Sequence, residues 1–244
     1  MMEILYLREK DFMKVPILYE DNHLLLVEKP RNIPVQEDSS RDLDLLTGLK
    51  QMIKVRDDKP GNVYLGLVHR LDRPVGGAMV FAKTSKAASR LSDMMRRQVI
   101  ERQYWAVVHG VPKQKKGQLT NYLYKNTQKN QVAVVSSKYP GAKKAILNYQ
   151  VLASRESFSL LAVQLETGRP HQIRVQLSNM GHPIYGDQKY GQKTSKVGQQ
   201  IALWAQSLSL EHPIKKEAIE VQATPPAEYP WNIWEQTKKS NKGL

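Results

Sequence analysis

The sequence predicts an α+β protein with a mostly antiparallel, mixed central sheet and flanking helices and loops. Strand-like segments outnumber helical ones. They come in runs joined by short turns. They do not alternate with helices one for one, as a doubly wound parallel sheet requires. With 244 residues, 41% of them hydrophobic, the chain suffices for one large domain or two packed subdomains.

Pro16 to Pro30, "PILYEDNHLLLVEKP", reads as a strand, a polar turn at Glu20-Asp21-Asn22 and a second strand. Pro30 to Pro34 is a break. Asp44 to Val55 carries Leu45, Leu49, Met52 and Ile53 at helical spacing, with Asp42 or Asp44 near its start. Arg56 to Asn62 is a loop. "VYLGLV" and "GAMVFAKT" are strand-like and flank the polar tetrad His69-Arg70-Leu71-Asp72. Thr84 or Ser85 caps a helix whose apolar stripe is Ala87, Ala88, Leu91, Met94 and Met95. Arg102 to Gly110 returns as a strand, and Lys113 to Gly117 is a basic turn. "NQVAVVSS", "KKAILNYQVLAS" and "SFSLLAVQLET" are strands. His171 to Met180 is helical, with Ile173, Leu177 and Met180 on one face. "QQIALWAQSLSLEHP" and "EAIEVQATPP" are late strands, and "WNIWEQTKK" is a short C-terminal helix.

The 37 lysines and arginines against 23 acids give a formal net charge of +14. A polyanion is the natural partner of such a chain, because phosphate contacts dominate nucleic-acid affinity. The alternative is a well-solvated basic surface. The basic residues are dispersed, so they form a broad face with loops rather than one short localisation signal. The absence of cysteine excludes disulfides, thiolate metal sites and a cysteine nucleophile, and fits a reducing compartment. The N-terminal stretch is neither a signal peptide nor a membrane span. These features predict a soluble, cytoplasmic protein with no membrane partner.

Several devices are missing. There is no GxxxxGK[ST] phosphate loop, no GxGxxG after a strand and no GxSxG nucleophile elbow. The six histidines are scattered without ligand spacing, so no metal is expected. Three chemistry-bearing segments remain. The first is "HRLD" at 69–72. The second is "ETGRPHQIRVQL", Glu166 to Leu177, which sets Arg169, His171, Gln172 and Arg174 at a turn entering a helix. The third is "ERQYWAVVHG", which puts Tyr104 on a strand. Read blandly, HRLD is a polar turn in which Asp and Gly serve the backbone.

In this order the three segments resemble the RluA-type family of RNA pseudouridine synthases. "GHPIYGDQKYG", Gly181 to Gly191, and the opening "ILYEDNHLLLVEKP" match the same family, so the resemblance runs from about Val15 to Pro226. Three departures stand out. Pro74-Val75-Gly76-Gly77 replaces a frequent Thr-Ser-Gly, Gln176 stands where a His is common, and Trp204 interrupts a late Ala-Leu-His-Ala segment.

The resemblance implies a pseudouridine synthase fold with an active-site cleft across the sheet. It divides the chain into an N-terminal extension at 1–14, a catalytic domain at 15–237 with two packed subdomains on one sheet, and a basic flexible tail at 238–244. The catalytic pattern starts by Val15, so no N-terminal accessory RNA-binding domain is expected.

The implied reaction isomerises uridine in RNA to pseudouridine without a cofactor. Asp72 takes the catalytic carboxylate's place, either attacking the ribose or removing a ribose proton. Arg174 is the cation expected to keep Asp72 ionised, in a bidentate pair. Arg70, two residues before Asp72 on an extended strand, fills the gap left by a flipped base. Tyr104 stacks on the uracil and assists the final proton transfer. His69 orients the loop or contacts RNA. Thr167, Gly168, Arg169, His171 and Gln172 form a supporting loop, and Asp187 is a turn residue. The expected partner is structured RNA, ribosomal or transfer, bound by a monomer with no nucleotide cofactor. A base-excising glycosidase would need a second carboxylate to activate water. A non-catalytic RNA-binding protein would not need Asp72, Tyr104 and Arg174 intact.

Overall fold

The computed structural model describes residues 2–7 and 11–234. The chain divides into two compact units: Met1–Arg102 with Ala205–Thr224, and Gln103–Trp204 with Pro225–Leu244.

The first unit contains β1 (Met2–Leu7), β2 (Asp11–Glu20), β3 (Leu24–Lys29), β4 (Gly66–Leu67) and β5 (Gly76–Ala82), with β11 (Leu203–Glu211) and β12 (Ala218–Gln222) from late in the chain. Its strand order is β1-β2-β3-β5-β11, with β12 beside β11 and β4 beside β5. β3 and β5 pair antiparallel from Leu24↔Ala82 to Lys29↔Gly77. Leu24 to Val27 and all of β5 are buried, the continuous apolar pattern of strands covered on both faces.

The turn into β3 is closed by Asp21, whose Oδ1 accepts the amides of His23 and Leu24, both at 2.8 Å. The other oxygen of Asp21 accepts from His212 Nε2 at 3.0 Å and Lys215 Nζ at 2.8 Å. His212 Nδ1 accepts two backbone amides, from Ile214 and Lys215, so the imidazole proton sits on Nε2 and faces Asp21. One carboxylate thereby joins the early and late segments of the unit.

Helix α1 (Leu45–Arg56) starts at Asp44, whose Oδ1 accepts from Thr47 N at 3.0 Å, and Lys54 and Arg56 sit at its carbonyl end. Helix α2 (Ser85–Arg96) is capped by Thr84 through Ala87 N at 3.2 Å. Ala87, Leu91 and Met94 of the expected stripe are buried.

The second unit orders β6 (Glu101–His109), β7 (Lys116–Asn126), β8 (Gln131–Val135), β9 (Lys143–Arg155) and β10 (Phe158–Leu165) as β6-β10-β9-β7-β8. Leu123, Val132 and Ala145 on β7, β8 and β9 form a core with Val175 of α3 (Gln172–Asn179). In α3 every residue from Gln172 to Leu177 is buried, Ile173 and Leu177 of the expected face together with the polar Gln172, Arg174 and Gln176.

Four expectations change. "KGQLTNYLYKN" is strand β7, so the basic turn ends at Lys115 and not at Gly117. The N-terminal extension supplies β1, paired from Met2↔Pro16 to Leu7↔Asp11. The strand before the tetrad shrinks to Gly66–Leu67. The C-terminal helix is a 3-10 turn over Trp231–Trp234, and its remainder and the basic tail lie outside the described residues. Among the described residues no helix is long and apolar enough to cross a membrane.

Gly77 has φ +114°, and a Cβ there would lie 2.2 Å from the carbonyl oxygen of Ala205. The glycine is what lets β5 approach β11 so closely. Gly77→Ala is expected to lower stability by more than about 1 kcal/mol, from strain and collision together. Gly61→Ala, with nothing within 4 Å, is expected to be neutral or mildly stabilising in the same thermal melts. Equal melting of the two variants would refute the close-approach argument.

Candidate active site

The tetrad does not lie on a strand. β4 ends at Leu67, and His69 to Asp72 form the connection to a turn closed by Val75 N–H to Asp72 O at 2.9 Å. Leu67 pairs with Phe81, so the next ladder donor on β5 is the amide of Val80. That amide donates to His69 Nε2 at 3.1 Å. The imidazole thus supplies the acceptor that β4 no longer provides, which is why the strand can stop there. Nε2 is an acceptor, so the ring proton is on Nδ1, which is buried without a hydrogen-bond partner. Burial, aided by the Arg102 charge, pushes the His69 pKa down to about 3. The ring therefore ties the tetrad to β5.

Lys29 is fully buried at the end of β3. Its three ammonium protons reach three carbonyls: Pro30 at 2.8 Å, Arg73 at 3.0 Å and Val75 at 2.8 Å. Two of these carbonyls belong to the turn that Asp72 begins. Burial pushes the Lys29 pKa down to about 7, against the pull of the Asp72 charge. Val75 is itself buried, so the Pro74-Val75 departure fits a turn whose apolar member faces the core. Asp72 is half-buried and Arg70 is exposed. Lys29 was missed because a lysine next to Glu28 and Pro30 reads as a strand end in solvent.

In the second unit the predicted supporting loop is built around the Gln172 amide. Its Oε1 accepts from Thr167 Oγ1 at 2.8 Å and Arg169 N at 2.9 Å, and its Nε2 donates to Ile146 O at 3.0 Å. Thr167 Oγ1 in turn accepts from Ile146 N at 2.8 Å, and Arg169 Nε donates to Lys144 O at 3.0 Å. His171 takes a left-handed conformation, φ 51°, at the start of α3.

Arg174, on the first turns of α3, gives Nε and Nη2 to Asp187 at 2.9 and 2.7 Å, and both side chains are buried. This is a bidentate fork within the second unit, and the carboxylate it grips is Asp187. Asp187 is also the expected turn residue, accepting the amides of Lys189 and Tyr190 at Oδ1. Burial alone would raise its pKa, but the hydrogen bonds and charge of Arg174 hold it below the ordinary carboxylate value. The Arg174 guanidinium lies 5.2 Å from the centre of the Tyr190 ring, and the Tyr190 hydroxyl meets His171 Nδ1 at 2.6 Å.

Gln176 is fully buried and donates to Asn121 Oδ1 at 2.8 Å and Leu119 O at 3.1 Å, fixing α3 to β7. Tyr104 lies on β6 opposite Val163 and is 6% exposed. Trp204 is buried at the start of β11. Among the described residues no group of three or more His, Cys, Asp or Glu side chains is placed to hold a metal ion.

A family model described as RNA pseudouridylate synthase matches residues 23–179. That span takes in the tetrad, Tyr104 and the Arg174 helix, and the chain belongs to this family. It is an RNA pseudouridine synthase, an isomerase, as the RluA-type resemblance implied. Among similar proteins, the RNA pseudouridine synthase YhcT of Bacillus subtilis is 34% identical over 223 residues, 89% of this chain and 71% of that protein. The ribosomal large subunit pseudouridine synthase D of Haemophilus ducreyi is 31% identical over 227 residues, 87% of this chain and 68% of that protein. The solved structure of human RNA pseudouridylate synthase domain containing 4 has a TM-score of 0.73 at 25% identity, over 86% of this chain and 88% of that one.

Two predictions arise from this geometry. Between about pH 6.5 and pH 3 the unfolded chain protonates His69 while the folded chain does not, so stability falls as pH falls through that window. His69→Gln removes this titration and is expected to flatten that part of the stability–pH curve in urea unfolding. An unchanged curve would mean that His69 is charged in the folded state. Asp187→Ala takes the bidentate carboxylate away from a buried guanidinium and is expected to cost about 3 kcal/mol. Arg174→Ala is expected to cost about as much, and the double variant less than the sum. Additive losses would show that the pair is not energetically coupled.

Proposed function

We propose that this enzyme converts a specific uridine in structured RNA to pseudouridine, with Asp72 as the catalytic carboxylate acting after the target base has left its stack. The bond from C1′ to N1 breaks, the uracil turns over, a bond from C1′ to C5 forms, the C5 proton is released to solvent and N1 takes up a proton. Asp72 either attacks C1′ or removes a ribose proton. The observation that carries this reading is the fixing of Asp72 at the head of a turn pinned by the buried Lys29, inside the family's matched segment.

Arg70 is exposed, as a side chain that enters RNA must be, and takes the space vacated by the base. Tyr104 stacks on the uracil and assists the last proton transfer, and Arg174 serves as the cation of the reaction. Relatives named for the large ribosomal subunit favour ribosomal over transfer RNA as the substrate.

Asp72→Asn preserves size and turn chemistry but removes the charge and the nucleophilic oxygen. In single turnover on RNA tritiated at uracil C5, tritium release is expected to fall by several orders of magnitude while folding and RNA binding persist. A fully active variant would overturn the assignment. Mapping pseudouridines in total RNA from cells with and without the gene identifies the substrate.

A further inference from the structure

Between Glu101 and Glu156 the chain has no acidic residue, yet it carries eight lysines and two arginines. This stretch makes β7, β8 and β9 of the second unit. One face of that three-stranded sheet is closed by α3 over Leu123, Val132 and Ala145. Side chains alternate between faces, so Tyr122 and Tyr124 point to the other face. The register adds to it Lys144 and Val135, opposite Tyr122, and Ala133, opposite Tyr124. Lys144 and Ala133 are exposed, and both tyrosines are half-buried.

The loop from Ser136 to Ala142 brings a third aromatic ring. Tyr139 meets Tyr124 edge to face at 4.9 Å and is itself 46% exposed. The loop is ordered by two turns, Tyr139 N to Ser136 O and Ala142 N to Tyr139 O, both at 3.0 Å. Tyr139 is therefore presented on a fixed support beside Lys138.

We propose that this face docks unpaired RNA, with Tyr139, backed by Tyr124, stacking a base while Lys138 and Lys144 take phosphates. The proposal rests on the reading of the chain as an RNA pseudouridine synthase. Aromatic rings on an open sheet face surrounded by cations suit single strands, whose bases offer π faces and whose phosphates offer charge. A duplex hides its bases and would use only the lysines. The three strands carry no carboxylate of their own; Glu166 meets the far end of this face, at Gln118 and Asn148, so the track that suits a polyanion is the end around Tyr122, Tyr124 and Lys144.

The test measures affinity for a short, end-labelled, single-stranded oligouridylate and for a duplex RNA of equal length. Tyr139→Ala is expected to weaken the single strand about fivefold or more and leave the duplex unchanged, while Tyr139→Phe restores binding. The double variant Lys138→Gln/Lys144→Gln is expected to reduce the slope of log affinity against log salt by about 0.7 per lysine. Lys54→Gln on α1, in the other unit, serves as the control and is expected to leave the slope unchanged. Ultraviolet cross-linking is expected to give a nucleotide adduct on the Tyr139 peptide.

Wild-type affinity in both variants would overturn the proposal, as would equal losses on single strand and duplex. Pseudouridine formation by the wild-type protein is measured alongside. If the variants bind like the wild type while pseudouridine forms, only the docking surface fails. If binding falls as expected while no pseudouridine forms, only the synthase reading fails.

Discussion

An ammonium group taken wholly out of water needs three acceptors in tetrahedral reach, and the first unit is organised around meeting that demand for Lys29. Its carbonyl partners at Arg73 and Val75 are more than forty residues away in the chain. Satisfying them fixes the turn that begins at Asp72, sets Val75 in the core and places Gly77 at the start of β5 in register with Lys29. Removing the charge would leave those turn carbonyls without their donor in a dry interior, so the side chain and the loop define each other.

The second unit solves a different problem by similar means. Helix α3 is buried almost all round, yet it carries Gln172, Arg174 and Gln176. Each polar side chain has a specific partner: the Thr167–Arg169 loop, Asp187, and the β7 backbone with Asn121. Such groups cost free energy unless bonded, and their partners lie on different segments, so the helix can seat in only one way. The left-handed His171 at its entrance is held in turn by Tyr190, which also flanks Arg174.

Much of this was legible beforehand. Periodicity and capping residues located α1 and α2 to within a residue or two, because Asp44 and Thr84 signal helix starts through their own backbone bonds. The family motifs were readable because they carry unusual residues in fixed order. What escaped were elements whose signal is nonlocal. β7 turns buried Leu123 and half-buried Asn121 to one side and shows tyrosines on the other, so its alternation is not one of apolar against polar. β4 is short because a histidine side chain replaces its backbone, which no window of sequence reveals. Asp187 reads as a turn residue, and it is one; its second role, as counter-ion to Arg174, exists only once the loop meets the helix.

The division of the chain also has a consequence for its birth on the ribosome. The first unit is interrupted by the 102 residues from Gln103 to Trp204 before Ala205–Thr224 complete it. At about 5–20 residues per second, synthesis of that intervening segment takes roughly 5–20 s. Throughout that interval β5, a wholly apolar strand, waits for β11 with the part of its edge beyond β4 and His69 open. The nascent protein therefore passes through an obligatory sticky phase set by its own topology. Slow codons or a trailing ribosome would lengthen that exposure without altering a single contact in the finished molecule.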